Sequence, residues 1–135
     1  MSQEEPRWLK KMPPVYHKAR QLLTQLMMST QKAERTIKYG MVAETENMIM
    51  SVMVDIAFAD KYDIKPDARV GFITSAQMRM DEVKVRIRVL YDTRAMKKSG
   101  FSALTDLERD VDAQLEFWRS STLAETRNLI SSETP

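Results

Sequence analysis

Residues 102–118 read SALTDLERDVDAQLEFW, and within them Leu104, Leu107, Val111, Leu115 and Trp118 recur at steps of three or four. That spacing gathers the apolar side chains onto one stripe of a helix. It is the cleanest amphipathic pattern in the chain, and Ser102 is its predicted N-cap. Just upstream, Lys97-Lys98-Ser99-Gly100 reads as the end of a preceding helix, with cations at the negative end of the dipole and a glycine free to take a left-handed cap. That helix is predicted from about Ala68 to Met96, with Ile73, Ala76, Met80, Val83, Ile87, Leu90 and Tyr91 on one face. The stretch DKYDIKPD at 60–67 is the predicted break before it.

The same period governs the first half of the chain. A helix is predicted from about Thr36 to Ala59, with Val42, Met48, Ile49, Val52, Met53 and Ile56 on one face. Another follows Pro13 and Pro14, carrying Val15, Ala19, Leu22, Leu23, Leu26 and Met27. Four helices joined by short links predict an all-α chain, packed as an antiparallel up-down-up-down four-helix bundle over residues 13–121. Residues 1–12 read as a flexible extension, and 122–135, rich in Ser, Thr and Glu, as a frayed or disordered polar tail.

Composition removes whole classes of function. The 135 residues include no cysteine, so disulfides and thiolate metal clusters are excluded. Three glycines cannot build a glycine-rich phosphate loop or a dinucleotide fingerprint. His17 is the single histidine, and Pro14 stands where a metal-binding Glu-x-x-His pair needs its glutamate, so a di-iron bundle is excluded and no cofactor is expected. The chain opens MSQEEPRW and nowhere strings together the roughly 18 apolar residues of a membrane span, so the expected location is the cytoplasm, with no membrane partner.

Two features exceed what a core requires. On the third helix Met78, Val85, Val89 and Met96 form a second apolar stripe nearly opposite the first, and on the second helix Met50, Val54 and Phe58 do the same at i, i+4, i+8. Doubly apolar consecutive helices point to contacts between subunits. Charge is also uneven around a net of +2: residues 1–38 and 69–98 each carry eight Lys or Arg against three acids, while 39–66 and 99–118 are acidic. Lys84 and Arg88 flank one side of the third helix's core face, and Arg79 and Arg86 the other, with Arg94 near its end. Such cations either meet a polyanion or pair with acids on neighbouring helices.

Catalytic constellations are not visible. His17 reads as a packed or surface residue, and Asp106, Glu108, Asp110 and Asp112 read as alternating around their helix instead of converging. Glu44 and Glu46 point to different faces, and Tyr39, Tyr62, Tyr91 and Phe101 read as packing residues, not base-stacking platforms. A non-enzymatic chain is expected.

Four short motifs in order carry a resemblance: Pro14-Val15-Tyr16, Thr36-Ile37-Lys38-Tyr39-Gly40, the run KVRIRVLYD at 84–92, and Trp118-Arg119-Ser120-Ser121. Together they resemble the four-helix-bundle family that includes the accessory variability protein of diversity-generating retroelements and the proteins encoded in intervening sequences of bacterial 23S ribosomal RNA genes. The resemblance implies a homopentameric barrel with a positively charged surface. It also implies binding to a reverse transcriptase and its template RNA in support of mutagenic cDNA synthesis, with Lys84 and Arg88 as leading contacts and Arg79, Arg86 and Arg94 next. Three alternatives stand beside it: a bundle that binds structured RNA without a polymerase, an adaptor oligomer with no nucleic-acid affinity, and an enzyme whose site the sequence does not reveal.

Overall fold

The computed structural model describes residues 4–133, with side chains described through residue 130. The described chain is all-helical. A short α1 (Arg7–Lys10) precedes α2 (Pro14–Ser29); α3 (Arg35–Ile37) runs through a π-helical turn at Lys38–Val42 into α4 (Ala43–Ala59); α5 (Pro66–Asp92) and α6 (Lys98–Glu133) follow. Among the described residues no helix is long and apolar enough to cross a membrane.

Local chemistry sets the boundaries. Pro14 and Pro66 occupy first-turn positions of α2 and α5, where a missing N–H costs nothing and the fixed φ suits a helix. The end of α4 is tied down by the start of α5: Arg69 donates through Nε to the Ala59 carbonyl at 2.9 Å and through a terminal nitrogen to Lys61 O at 3.3 Å. The guanidinium thus satisfies the last carbonyl of α4 and shares that of Lys61 with the Ile64 N–H.

The third predicted helix ends earlier than its periodicity suggests, and by a different device. The Ala95 N–H bonds to Leu90 O at 2.8 Å and the Arg94 N–H to Tyr91 O at 3.0 Å, the two bonds of a Schellman motif. Its left-handed position is filled by Arg94, at φ 64°, and not by Gly100, which sits in the first turn of α6. Ala95 then packs against the core beside Leu90, which is the apolar contact this motif favours. Met96, predicted on the outer stripe, turns inward in the resulting loop and is buried.

The core is one cluster drawn from α2, α4, α5 and α6: Leu22 and Leu26, Ile49, Val52 and Ile56, Ile73, Met80, Ile87 and Leu90, and Leu104 and Leu115 among them, all at 1% exposure or less. Packing runs between α2 and α4, α4 and α5, α5 and α6, and α6 and α2. Buried threonines cost little, because Thr45 and Thr122 donate to the carbonyls of Met41 and Trp118 one turn back. Two predicted termini differ. Leu9 of α1 is buried and Arg20 pairs with Glu5 at 2.9 Å, so the first segment is docked from residue 5 on, and residues 1–3 lie outside the described residues. Where a frayed tail is predicted from 122, α6 continues through Glu133, helped by buried Thr122; residues 134 and 135 lie outside the described residues.

Candidate functional site

The basic residues of α5 lie where their spacing puts them, on both flanks of its buried face, and acids of neighbouring helices answer most of them. Lys84 Nζ donates to Asp112 Oδ2 on α6 at 2.8 Å and lies 3.3 Å from Asp81. Arg79 reaches Asp55 on α4 at 3.1 Å, where Ser75 also donates at 2.8 Å, and Arg86 reaches Glu44 at 3.0 Å. Arg88 pairs with Asp92 one turn along and lies over the stacked rings of Tyr91 and Phe101. The uneven charge along the chain thus serves first to match α5 to α4 and α6. Of the five predicted contact residues, Arg94 alone has no carboxylate within ion-pair distance among the described residues.

Arg94 faces a different set of neighbours. It lines a groove of about 430 Å³ with Lys32 and Gln31 from the α2–α3 connection and with Lys97 and Gly100 at the start of α6. Two loops far apart in sequence, 30–34 and 93–97, meet here. Within 30–39 and 93–98 there are six cations, Lys32, Arg35, Lys38, Arg94, Lys97 and Lys98, against the single carboxylate of Glu34. All six side chains are exposed. Lys97 and Lys98, predicted at the negative end of a helix, stand instead at the positive end of α6, whose first turn holds no acid. Tyr39, read from the sequence as packing, is 71% exposed, with the Arg35 guanidinium 5.7 Å from its ring centre.

The opposite end of the helices is neutral and apolar. Residues 60–69 hold three cations and three acids. One groove there, about 520 Å³, is lined by Met12, Val54, Phe58 and Tyr62, and a second, about 560 Å³, by Pro13, Pro14, Phe117 and Trp118; Asp60 borders both. Tyr62, also read as packing, is almost wholly exposed. Of the predicted subunit contacts, Met50, Val54, Phe58, Met78 and Val85 are exposed and Val89 is half-buried. Phe117, which the periodicity did not single out, is also exposed, at 75%.

One carboxylate pair does converge, against the sequence reading. Glu108 and Asp112 are four residues apart, hence on one face of α6, and Lys84 lies against them. Burial, reinforced by the Asp112 charge, pushes the Glu108 carboxyl up to about 7, while Lys84 pulls the other way. Its Oε1 is buried without a hydrogen-bond partner. The hydrogen bond to Asp112 raises Lys84 above the usual lysine value. The cluster opens onto none of the grooves described above. Among the described residues no group of three His, Cys, Asp or Glu side chains could hold a metal ion.

The chain matches no protein-family model and no curated protein.

Proposed function

We propose that this chain is a non-enzymatic, cytoplasmic accessory protein: an up-down-up-down four-helix bundle that assembles with copies of itself as a pentameric barrel, and binds a reverse transcriptase and its template RNA to support mutagenic cDNA synthesis. The four ordered motifs at 14–16, 36–40, 84–92 and 118–121 suggest the partner class. Short connections and the cyclic packing of α2, α4, α5 and α6 support the bundle, with α2 opposite α5 and α4 opposite α6.

The observation that carries the binding role is the unspent apolar surface on two adjacent helices. Val54 and Phe58 on α4, and Met78 and Val85 on α5, are between 42% and 67% exposed although both helices already bury a complete core face. Apolar side chains repeated at helical spacing on a second face are the mark of protein contact. Light scattering of the purified chain, alone and with a reverse transcriptase from the same genome, tests this reading. The expected result is a multiple of the 15.7 kDa subunit mass that rises when the polymerase is added. A monomer indifferent to the polymerase refutes it.

A second reading, a bundle that binds structured RNA without a polymerase, is favoured by the unpaired cations at one end. The same experiment with RNA in place of the polymerase separates the two.

A further inference from the structure

We infer that the end of the molecule formed by the 30–39 and 93–98 segments is a nucleic-acid binding surface, on which Lys32, Arg94 and Lys97 take backbone phosphates of single-stranded RNA and exposed Tyr39 offers a base-stacking face. This deepens the RNA part of the proposed function, and rests on it, by moving the contact from the flank of α5 to the end of the molecule.

The argument begins with what each cation does inside the molecule. Lys84, Arg79 and Arg86 are held by Asp112, Asp55 and Glu44 on neighbouring helices, so an RNA would have to displace an intramolecular partner to use them. Lys32, Arg94, Lys97 and Lys98 have no carboxylate within 4.0 Å among the described residues. Of the nearby acids, Asp92 pairs with Arg88, and Glu34 stands at the N-cap of α3 without a side-chain cap hydrogen bond, a single carboxylate among six cations. Positive charge concentrated without acids around a concave surface raises the local potential that attracts polyanions.

Position strengthens the case. Lys97 and Lys98 add to the positive end of the α6 dipole, and Arg94 occupies a left-handed backbone position that suits glycine better. Both arrangements work against folding, and both place a cation, Lys97 and Arg94, at one groove.

Aromatic chemistry separates single-stranded RNA from other anionic partners. Lys38 Nζ donates to Gln31 O at 3.3 Å, which ties the π-turn carrying Tyr39 to the groove wall that Gln31 shares with Arg94. Tyr39, one residue on from that tether and with the Arg35 guanidinium 5.7 Å from its ring centre, offers an exposed ring of the kind on which unpaired bases stack. At the opposite end Tyr62 is more exposed still, but the 60–69 segment that carries it holds as many acids as cations.

The test measures the anisotropy of a labelled single-stranded RNA of about 20 nucleotides titrated with the full chain over a range of salt. Wild type is expected to bind with a steep salt dependence. K32E/R94E/K97E, with unchanged helix content and mass, is expected to weaken binding by more than about tenfold near 0.1 M salt and to lower the slope of log K against log salt by about 2. Y39A is expected to weaken binding severalfold with the slope unchanged, and K61E/K65E, at the neutral end, to bind like wild type. Should the triple reversal disturb folding, K32Q/K97Q gives the same comparison with two charges removed.

The inference is overturned if the triple reversal binds as wild type does, if K61E/K65E weakens binding equally, or if wild type ignores the RNA, whether or not it binds vesicles containing phosphatidylserine. RNA binding is measured without polymerase, so a chain that binds RNA through this end yet ignores the polymerase upholds the inference while failing the accessory role.

Discussion

A Cβ placed on Gly100 would lie 2.7 Å from the Oγ and 2.9 Å from the Cβ of Ser29. The first turn of α6 therefore rests directly against the last turn of α2, with no room for a methyl group, and this contact brings Lys97 and Arg94 up to Lys32. The glycine is needed for close approach, since no glycine among the described residues has positive φ. In an isolated helix Gly100→Ala would be favourable by about 1 kcal/mol. Here the expected outcome is a loss of about 1 to 3 kcal/mol, because the two helices must separate. Chemical denaturation checks the sign, and the pair Ser29→Gly with Gly100→Ala should recover most of the loss relative to Ser29→Gly alone.

Arg94 offers the converse experiment. A non-glycine residue in the left-handed region carries a strain of about 1 to 2 kcal/mol, which glycine relieves at the expense of a more flexible unfolded chain. Arg94→Gly is therefore expected to leave stability unchanged or raise it by up to about 1 kcal/mol, while RNA binding weakens. A variant that lost stability and kept its RNA affinity would sink the role assigned to this residue.

These two positions also show what was legible in the sequence. The core faces of α4 and α5 follow from spacing alone, because each buried residue recurs at three or four; on α2 the spacing also finds Val15, Ala19, Leu22 and Leu26, but Met27, predicted with them, is exposed and Tyr16 is buried in its stead. The junction at 93–100 was misread for a physical reason: Lys97-Lys98-Ser99-Gly100 is a good helix ending by composition, whereas the Schellman bonds at Leu90 and Tyr91 depend on Arg94 accepting a backbone state that sequence rules reserve for glycine. The same misreading hid the basic end, which exists only once residues 30–39 and 93–98 meet. The ion pairs of α5 were visible as charge balance between helices, but which acid answers which base is a matter of register. Glu108 and Asp112 could have been found, since a spacing of four places them on one face.

Glu108 gives the chain a pH-dependent stability. Its folded pKa, about 7, lies above the ordinary carboxylate value of 4.5, so the folded state holds the proton more tightly than the unfolded chain. The stabilising contribution is complete below about pH 4.5 and is lost as pH rises through about 7. The full span is worth up to about 3 kcal/mol. The rise in Lys84 does not overlap this window, because it acts above the usual lysine value of 10.5. Glu108→Gln, which cannot ionise, is expected to match wild type near pH 4.5 and to exceed it by about 2 kcal/mol at pH 8. Denaturant midpoints at the two pH values decide it; a variant less stable than wild type at pH 8 would show that the ionised carboxylate is stabilising after all.

The two apolar stripes lie on different helices, and that difference constrains the proposed assembly. A two-fold dimer needs one self-complementary patch, whereas a ring needs two unlike patches that meet head to tail. Val54 belongs to the α4 patch with Met50 and Phe58, and Val85 to the α5 patch with Met78; both valines are more than half exposed, so a lysine at either leaves the core untouched. If α4 of one subunit meets α5 of the next, Val54→Lys and Val85→Lys should each abolish the ring, because every interface in it is alike. Mixed in equal amounts, the two variants retain one sound pairing, the intact α4 patch of V85K against the intact α5 patch of V54K. They should therefore form a dimer of about twice 15.7 kDa and grow no further. Each patch that could extend the chain beyond that pair carries a lysine. Light scattering of the mixture distinguishes the outcomes directly: a capped dimer supports the head-to-tail ring, a full-sized oligomer places the contact elsewhere, and two unmixed monomers mean that these stripes do not face one another.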